Sequence, residues 1–216
     1  VYKRQSKDGE TRKIVEAKDI PITFGGAARY NIHNALGAMA LCHVLGAGDE
    51  ALAKGLRAFS GDAQENPGRG NLFEKNGIRI FIDFAHNEHG VTAISDTVRA
   101  FSSGRNFVLF GQAGDRTDRE IEDLVNAVCR LDPWRLLVCD LPGYERGRQT
   151  GVVSAMIRDF AVGKGVATEA VSIHSSPVEG VREALKEARE GDCLVLLALT
   201  QREEVLQMVR SFVKGP

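Results

Sequence analysis

Beyond residue 70, short apolar runs alternate along the chain with longer segments whose apolar residues recur at helical spacing. The pattern predicts strands at 106–110, 135–139, 169–173 and 193–198, and helices at 88–101, 118–130, 151–162, 178–190 and 201–213. Short apolar strands that alternate with amphipathic helices are typical of right-handed βαβ crossovers. We therefore predict an α/β, Rossmann-like fold, with a mostly parallel sheet covered by helices on both faces.

A hairpin is predicted just before this alternation. The extended runs 71–75 and 78–82 are separated only by Asn76-Gly77, a pair favoured in two-residue type I′ turns. Two strands joined by so short a turn must be antiparallel. The sheet should therefore carry one antiparallel edge strand at its N-terminal end.

The first 60 residues have a different pattern. Residues 11–24 resemble two short extended pieces broken by Asp19 and Pro21, followed by a turn at Gly25-Gly26. Two helices rich in Ala and Gly are predicted next, over 30–45 and 49–59, and they have no sheet of their own. We interpret residues 1–60 as the end of one domain, the polar and Gly/Pro-containing stretch 61–70 as a hinge, and residues 71–216 as a second domain.

Composition and charge narrow the class of protein. Formal net charge is -1 with charges of both signs interspersed, so nucleic acid is not an expected partner. The longest apolar run, 193–199, is far shorter than the roughly 20 residues of a membrane span, so no membrane association is expected. No signal peptide is recognisable, and the four cysteines lack metal-site spacing, so a cytoplasmic protein with reduced thiols is predicted.

Three loops that follow predicted strands are rich in polar side chains. They are 83–89, 111–119 and 140–148, whereas the loops at 174–176 and 200–201 are plainer. Because the carboxyl ends of parallel strands meet at one edge of a sheet, the three loops should converge there. An anionic or zwitterionic ligand is predicted at that edge.

Each candidate residue also has a purely structural interpretation. Asp83 and Asn87 could cap the following helix, and a metal site from Asp83, His86 and His89 is a weaker alternative, so no metal site is predicted. Asp115 and Arg116 could form a local ion pair. Arg146 and Arg148 could be solvated, or could bind a carboxylate or phosphate.

Asn31 and Asn34 lie three residues apart at the start of the first long helix. They could form an N-cap and a polar face, or one amide could recognise the edge of a base. The sequence contains no GxxxxGK phosphate loop followed by Ser or Thr, and no nucleophile beside a base can be identified from spacing.

Four motifs in register resemble the C-terminal part of the Mur ligase superfamily of ATP-dependent amide ligases. They are YNIHNALGAMALCHVLG at 30–46, NPGRGNLF at 66–73, IDFAHN at 82–87 and GQAGDR at 111–116. Within the superfamily the chain is most similar to the cyanophycin synthetase branch, because KDIPITFGGAARYNIHNAL, AGDRTDRE and ERGRQTG follow in order. The resemblance covers nearly the whole chain.

The resemblance implies that residues 1–60 end a central ATP-binding domain and that residues 71–216 form the amino-acid-binding domain, which closes over ATP. It implies that ATP, with Mg²⁺, converts a substrate carboxylate into an acyl phosphate, which the amine of an amino acid attacks. Asn34, Arg69, Asp83, His86 and Asn87 match positions that bind the nucleotide. The partners implied are an amino acid and a carboxylate-bearing acceptor, and homo-oligomers are expected by analogy.

Asp115, Arg116, Arg146 and Arg148 match positions that face the amino-acid pocket. Arginine is the amino acid that the cyanophycin branch implies, although the sequence has Val152 where that branch commonly has Glu, and Glu88 where the superfamily commonly has Pro. The phosphate loop, the magnesium ligands and the catalytic residues are expected upstream of this chain, so the chain alone is predicted to be inactive. A peptidoglycan-precursor or folylpolyglutamate ligase, or a non-catalytic nucleotide- or amino-acid-binding module, are the alternatives.

Overall fold

The computed structural model describes residues 3–5 and 11–215. They fall into two compact units, Val1–Glu65 and Asn66–Pro216, each with its own internal packing. The division lies inside 61–70, the stretch predicted as a hinge. In the part of the chain that the structure describes, no helix combines the length and the apolar character needed to cross a membrane.

The first unit contains a small two-stranded sheet and two helices. Its elements are β1 (Lys3–Gln5), β2 (Thr11–Lys13), two 3₁₀ helices (Ala17–Asp19 and Pro21–Gly26), α1 (Arg29–Val44) and α2 (Asp49–Ala58). Both predicted helices are present, within a residue or so of the expected bounds. A small core of Val15, Ile20 and Ala35 packs against Ile22 and Leu56.

The prediction of extended structure is wrong for residues 17–24, which lie in two 3₁₀ helices, Ala17–Asp19 and Pro21–Gly26. The buried hydroxyl of Thr23 lies 2.6 Å from the carbonyl oxygen of Ala17 and 2.8 Å from that of Ile20. It also accepts a hydrogen bond from the backbone N–H of Gly26 at 3.1 Å. A threonine hydroxyl that bonds local backbone groups in this way favours turns over a strand.

The second unit is a six-stranded sheet with helices on both faces. Its elements are β3 (Asn71–Lys75), β4 (Ile78–Asp83), α3 (Glu88–Arg99), β5 (Asn106–Phe110), α4 (Asp118–Cys129), β6 (Pro133–Cys139), α5 (Val152–Gly163), β7 (Val171–His174), α6 (Pro177–Glu187), β8 (Cys193–Leu197) and α7 (Arg202–Lys214). The strand order is β3-β4-β8-β5-β6-β7, and only the β3–β4 pair is antiparallel. The predicted fold class is confirmed.

The hairpin has the predicted geometry. Asn76 and Gly77 both have positive φ, 49° and 74°, as a type I′ turn requires. β3 pairs with β4 in the register Leu72 to Phe81 and forms one edge of the sheet. The prediction of an antiparallel edge strand from an N-terminal hairpin is therefore confirmed.

Helix α6 ends at Glu187, three residues before the predicted end, because a turn is anchored there by a buried carboxylate. Asp192 accepts hydrogen bonds from the backbone N–H of Arg189 at 2.7 Å and from the guanidinium of Arg105. The two side-chain bonds to Arg105 are 2.9 and 2.7 Å long. This network holds the start of β8 against the start of β5.

Strand order determines where ligand-binding loops can meet. Successive right-handed crossovers place α3, α4 and α5 on one face, where neighbouring helices pack together, and α6 and α7 on the other. β8 lies between β4 and β5, so the loop after β8 leaves toward the opposite face from the loops after its two neighbours. Open α/β sheets bind ligands in the crevice that such a reversal creates.

Candidate functional site

The first group of candidate residues lies at the carboxyl ends of β4 and β8. Asp83, the last residue of β4, pairs with Leu197, the last residue of β8. Its half-buried carboxylate accepts hydrogen bonds from the backbone N–H groups of Ala85, Gly70 and Phe84. Burial raises the pKa of Asp83, while those hydrogen bonds and the charge of Arg69 act in the opposite direction. The chain therefore keeps a carboxylate at the crevice although burial disfavours its charge.

The ring of Phe84, directly after Asp83, is the centre of this group. The guanidinium carbon of Arg69 lies 4.9 Å from the ring centroid, and that of Arg202, the first residue of α7, lies 4.0 Å from it. The His86 ring is tilted against the same ring at 5.4 Å. Guanidinium groups within about 6 Å of an aromatic centroid are attracted by its quadrupole. We call Arg69, Asp83, Phe84 and Arg202 the arginine cluster.

His86 and Asn87 are held by local hydrogen bonds. His86 places Nδ1 3.0 Å from the carbonyl oxygen of Phe84, and its own carbonyl accepts a bond from the side chain of Gln112 at 3.0 Å. Asn87 is the N-cap of α3 and accepts a bond from the N–H of Gly90 at 2.9 Å. The capping interpretation is therefore confirmed for Asn87. It is wrong for Asp83, because the helix begins five residues later.

No group of three or more His, Cys, Asp or Glu side chains among residues 13–215 is arranged to hold a metal ion. Asp83, His86 and His89 therefore do not form such a group. The imidazole of His86 faces the Phe84 carbonyl instead, and Asp83 is surrounded by backbone N–H donors. Both side chains are therefore engaged in local hydrogen bonds.

The second group of candidates surrounds a shallow pocket at the carboxyl ends of β5 and β6, open to solvent, whose cavity volume is only about 20 Å³. The pocket is lined by the side chains and backbone of Gln112, Asp140, Leu141, Tyr144, Glu145, Gln149, Thr150, Gly151 and Val153. Two carboxylates, Asp140 and Glu145, are the charged groups of this lining. Asp140 accepts a hydrogen bond from the Ser154 hydroxyl at 2.7 Å. The pocket therefore suits a ligand with a cationic, hydrogen-bonding end.

Asp115 and Arg146 form an ion pair beside this pocket. Arg146 Nη1 lies 2.6 Å from Asp115 Oδ2, and the Arg146 guanidinium also stacks on the exposed ring of Tyr144 at 4.8 Å. The hydrogen bond from Arg146 lowers the pKa of Asp115. Arg146 has a φ of 42°, a left-handed conformation that is uncommon for a residue other than glycine. Asp115 is thus paired with Arg146 across two loops.

Arg148 fastens those same two loops together. It donates hydrogen bonds to the carbonyl oxygens of Gly114 at 2.9 Å and Arg116 at 2.7 Å, and to the Asp118 carboxylate at 2.8 Å. Few of its donors remain for a ligand. The neighbouring Arg116 lies 3.7 Å from Glu120, and its Nε is buried without a hydrogen-bond partner among the described residues. In the second group, Arg148 therefore shapes the loops and Arg146 faces outward.

Asn34 belongs to the first unit and is exposed on α1. Its side-chain amide donates to Asn31 at 3.1 Å, and Asn31 donates to the carbonyl of Ile22 at 2.7 Å. Neither residue is an N-cap, because α1 begins at Arg29 and its N-cap, Ala28, has no capping side chain. The polar-face interpretation is the one that fits, and binding of a base by Asn34 stays a prediction.

Sequence reasoning missed Arg202, Gln112 and the acidic pocket lining. Gln112 lies in the GQAGDR motif, and Asp140 and Glu145 lie in a loop that was predicted to be functional. Arg202, in contrast, follows a loop that looked plain, and no motif distinguishes it. Its position over Phe84 depends on the pairing of β4 with β8, which the sequence pattern does not reveal.

Comparisons with known proteins agree with one another. Residues 68–198 match the family model described as Mur ligase, glutamate ligase domain. A cyanophycin synthetase from Trichormus variabilis is 33% identical over 147 residues, which are 68% of this chain and 16% of that protein. A UDP-N-acetylmuramoyl-L-alanyl-D-glutamate--2,6-diaminopimelate ligase from Clostridium botulinum is 28% identical over 185 residues, 84% of this chain and 35% of that protein.

The fold has counterparts among solved structures. The structure of E. coli FolC in complex with ADP, without folate substrate, superposes with a TM-score of 0.63 at 18% identity, over 84% of this chain and 40% of that one. At this identity the similarity shows a shared fold. The chain spans about a sixth of the length of the cyanophycin synthetase that it matches.

Proposed function

The chain belongs to the Mur ligase family, and from that membership we propose that it is the C-terminal portion of an ATP-dependent ligase that joins an amino acid to a carboxylate by an amide bond. The observation that carries the proposal is the match to the family model across most of the second unit. ATP would supply the activation, by converting the acceptor carboxylate into an acyl phosphate that the amine of the amino acid attacks. A cyanophycin synthetase-like ligase is the specific form that we propose.

The arginine cluster provides groups suited to a nucleotide. The Asp83 carboxylate is oriented by three backbone N–H donors and can accept hydrogen bonds from ribose hydroxyls. The Arg69 guanidinium carbon lies 4.9 Å from the Phe84 ring centroid, and the N–H donors of a guanidinium can bind phosphate oxygens. His86 and Asn87 would support this region through the loop that they hold. Asn34 and a magnesium ion are proposed participants that the family implies, and Mg²⁺ would take its ligands outside the clusters described above.

The second group provides groups suited to the incoming amino acid. Asp140 and Glu145 can bind a guanidinium, while the exposed pair of Arg146 and Asp115 offers charges of both signs to an α-carboxylate and an α-amine. Arginine is therefore the amino acid that we propose. The exposed Val152 replaces an acidic residue of the cyanophycin branch, and in this scheme Asp140 and Glu145 supply the negative charge instead.

A second candidate function is a ligase that acts on a peptidoglycan precursor. The relative from Clostridium botulinum favours it, because that protein is a UDP-N-acetylmuramoyl-L-alanyl-D-glutamate--2,6-diaminopimelate ligase. A non-catalytic nucleotide- or amino-acid-binding module is the remaining alternative. The gene sequence upstream of this chain distinguishes such a module from a ligase. A ligase requires a phosphate loop there, and a non-catalytic module does not.

Full-length protein should release ADP when given ATP, Mg²⁺, a polyaspartate primer and L-arginine. L-lysine, L-glutamate and diaminopimelate should give less than about a tenth of that rate, because a guanidinium offers five N–H donors to the two carboxylates and an ammonium offers three. Asp140→Asn and Glu145→Gln should each raise the KM for arginine about tenfold and leave the KM for ATP unchanged. ADP release with diaminopimelate and not with arginine would instead support the second candidate.

The 216-residue chain by itself should not turn over ATP. It contains no phosphate loop, the element that we expect to position the γ-phosphate for transfer. Phosphate release measured with this chain, ATP and Mg²⁺ should equal the rate of spontaneous hydrolysis. Sustained release above that rate would contradict the proposal that ATP turnover requires a phosphate loop outside this chain.

A further inference from the structure

Two arginines of the second unit share one aromatic ring, and only Arg69 belongs to a recognised motif. Arg69 lies 4.9 Å and Arg202 4.0 Å from the centroid of Phe84, so their guanidinium carbons are no farther apart than the sum of those distances. Both side chains are exposed. Neither forms an ion pair with a carboxylate of residues 13–215 at 4.0 Å or less. Two guanidinium groups are therefore held at the β4–β8 crevice, where the half-buried Asp83 carboxylate is the negative charge that acts on Arg69.

The backbone around Arg202 fixes its position. Gln201, just before it, has a φ of 51°, and its side-chain oxygen accepts a hydrogen bond from the N–H of Val178 at 3.3 Å. The aliphatic part of Arg202 passes beside Gly68, where an added Cβ would lie 3.8 Å from its Cδ. Arg202 thus extends from α7 across the crevice to the segment that carries Arg69. A non-glycine residue in the left-handed region is a strained conformation that is common at ligand-binding positions.

Charge determines which ligand fits. A guanidinium stacked on a ring keeps its N–H donors in the plane, and each such fork can hold two oxyanion oxygens. The carboxylate of an amino acid occupies the N–H donors of only one guanidinium, and the ammonium group of the same amino acid neutralises its charge. A diphosphate group carries at least two negative charges and enough oxygens for both forks.

We propose that Arg202 and Arg69 together form a two-arginine clamp, mounted on Phe84, that binds the diphosphate part of a nucleotide. The proposed function enters only in the identity of the nucleotide, which would be ATP or ADP. Binding of a diphosphate by the two arginines does not require that the protein be a ligase. Arg69 and Arg202 come from opposite ends of the unit, before β3 and after β8. A diphosphate held between them would tie these two ends together.

The test uses the 216-residue chain and sodium pyrophosphate at constant ionic strength, because screening by salt alone changes arginine–anion contacts. The Nε–Hε NMR signals of Arg69 and Arg202 are followed through the titration. We expect both signals to shift along one saturating curve. Arg202→Gln should weaken pyrophosphate binding, read from the Arg69 signal, about tenfold, the loss of one charged hydrogen-bonded contact.

Arg119→Gln is the matched control. Arg119 is also an exposed arginine in the first turn of a helix that follows a strand, but it lies beside Asp123 and on no aromatic ring. This variant should bind pyrophosphate as the unaltered chain does. A third variant, Phe84→Leu, removes the shared ring and should weaken binding while both arginines remain.

Three results would overturn the clamp. The Arg202 signal could stay fixed at every pyrophosphate concentration, or Arg202→Gln could bind pyrophosphate as tightly as Arg119→Gln. Titration with L-arginine or L-glutamate could also move the Arg202 signal at lower concentration than pyrophosphate does, which would assign Arg202 to the amino acid. A full-length protein without ligase activity would refute the proposed function and leave the clamp standing if the pyrophosphate result holds.

Discussion

Asp83→Asn in the full-length protein should lower kcat/KM for ATP in the ligation reaction about 100-fold, which corresponds to about 2.7 kcal/mol. The reason is that a charged acceptor is replaced by an amide at the point where we propose that the ribose binds, and hydrogen bonds to charged groups contribute about 1.5–3 kcal/mol. Arg69→Ala should cause a loss of the same order. ADP release at saturating amino acid and acceptor measures both.

Asp83→Asn should not lower the free energy of unfolding at neutral pH. The pKa of Asp83 is raised by burial in the folded state, so folding favours its protonated form. Its ionisation therefore opposes folding above the folded-state pKa, and this cost disappears as pH falls below the pKa of the unfolded chain. Asp83→Asn removes that cost. The free energy of unfolding of the variant minus that of the unaltered chain should therefore be largest at pH 7 and should decrease toward pH 3.

Urea denaturation of the 216-residue chain measures this stability. Trp134 is the single tryptophan and lies at the start of β6, so its fluorescence reports on the second unit. Asp96→Asn on α3 is the matched control, because Asp96 is an exposed carboxylate, 62% accessible, away from the strand ends. It should leave the activity unchanged. If Asp83→Asn kept full activity or unfolded more easily at pH 7, Asp83 would be a structural residue instead.

Periodicity was sufficient for the second unit because its core strands are buried on both faces. Phe107, Leu109 and Leu194 are fully buried, so these strands appear in the sequence as continuous apolar runs between amphipathic helices. The hairpin was equally predictable, because Asn76-Gly77 is one of few pairs that tolerate positive φ at both positions. Both the apolar periodicity and the turn pair are local sequence signals, and the folded chain has the structure that each of them predicts.

Residues 17–24 could not be assigned in the same way. Isoleucine and threonine favour strands, but the Thr23 hydroxyl bonds two backbone carbonyls and closes turns. The helix α1 shows the same limit of local patterns. Its apolar residues predicted a helix correctly, yet Leu41 is 70% exposed and Leu45, the residue just after the helix, is 86% exposed. Which apolar residues of a helix become buried depends on its neighbours.

The candidate site was predictable only as a set of loops. The rule that parallel strands end at one edge identified the loops that carry Asp83, Asp115 and Arg146. The sequence could not distinguish the roles of Arg146 and Arg148, because the partners of Arg148 are backbone carbonyls of a different loop. Arg202 was missed for the same reason, since its partner Phe84 follows a strand far away in the chain.

Gly114→Ala should disrupt the junction between the loops after β5 and β6. Gly114 donates its backbone N–H to the carbonyl of Tyr144 at 2.9 Å, and an added Cβ would lie 1.8 Å from the carbonyl oxygen of Glu145. That oxygen belongs to the backbone, so no side-chain rotation can relieve the overlap. The loops must separate, and overpacking of this kind costs about 1–3 kcal/mol of the free energy of unfolding.

Separation of the loops should also damage the pocket, since Tyr144 and Glu145 line it and Arg148 bridges to Gly114. We therefore expect the KM for the amino acid to rise about tenfold or more in full-length Gly114→Ala protein. Gly163→Ala is the matched control, because Gly163 ends α5 and no atom lies within 4 Å of an added Cβ. It should leave the KM unchanged and stability equal or slightly higher. Equal urea midpoints and equal KM values for the two variants would show that the loops do not need close backbone contact, and that the acidic pocket forms without it.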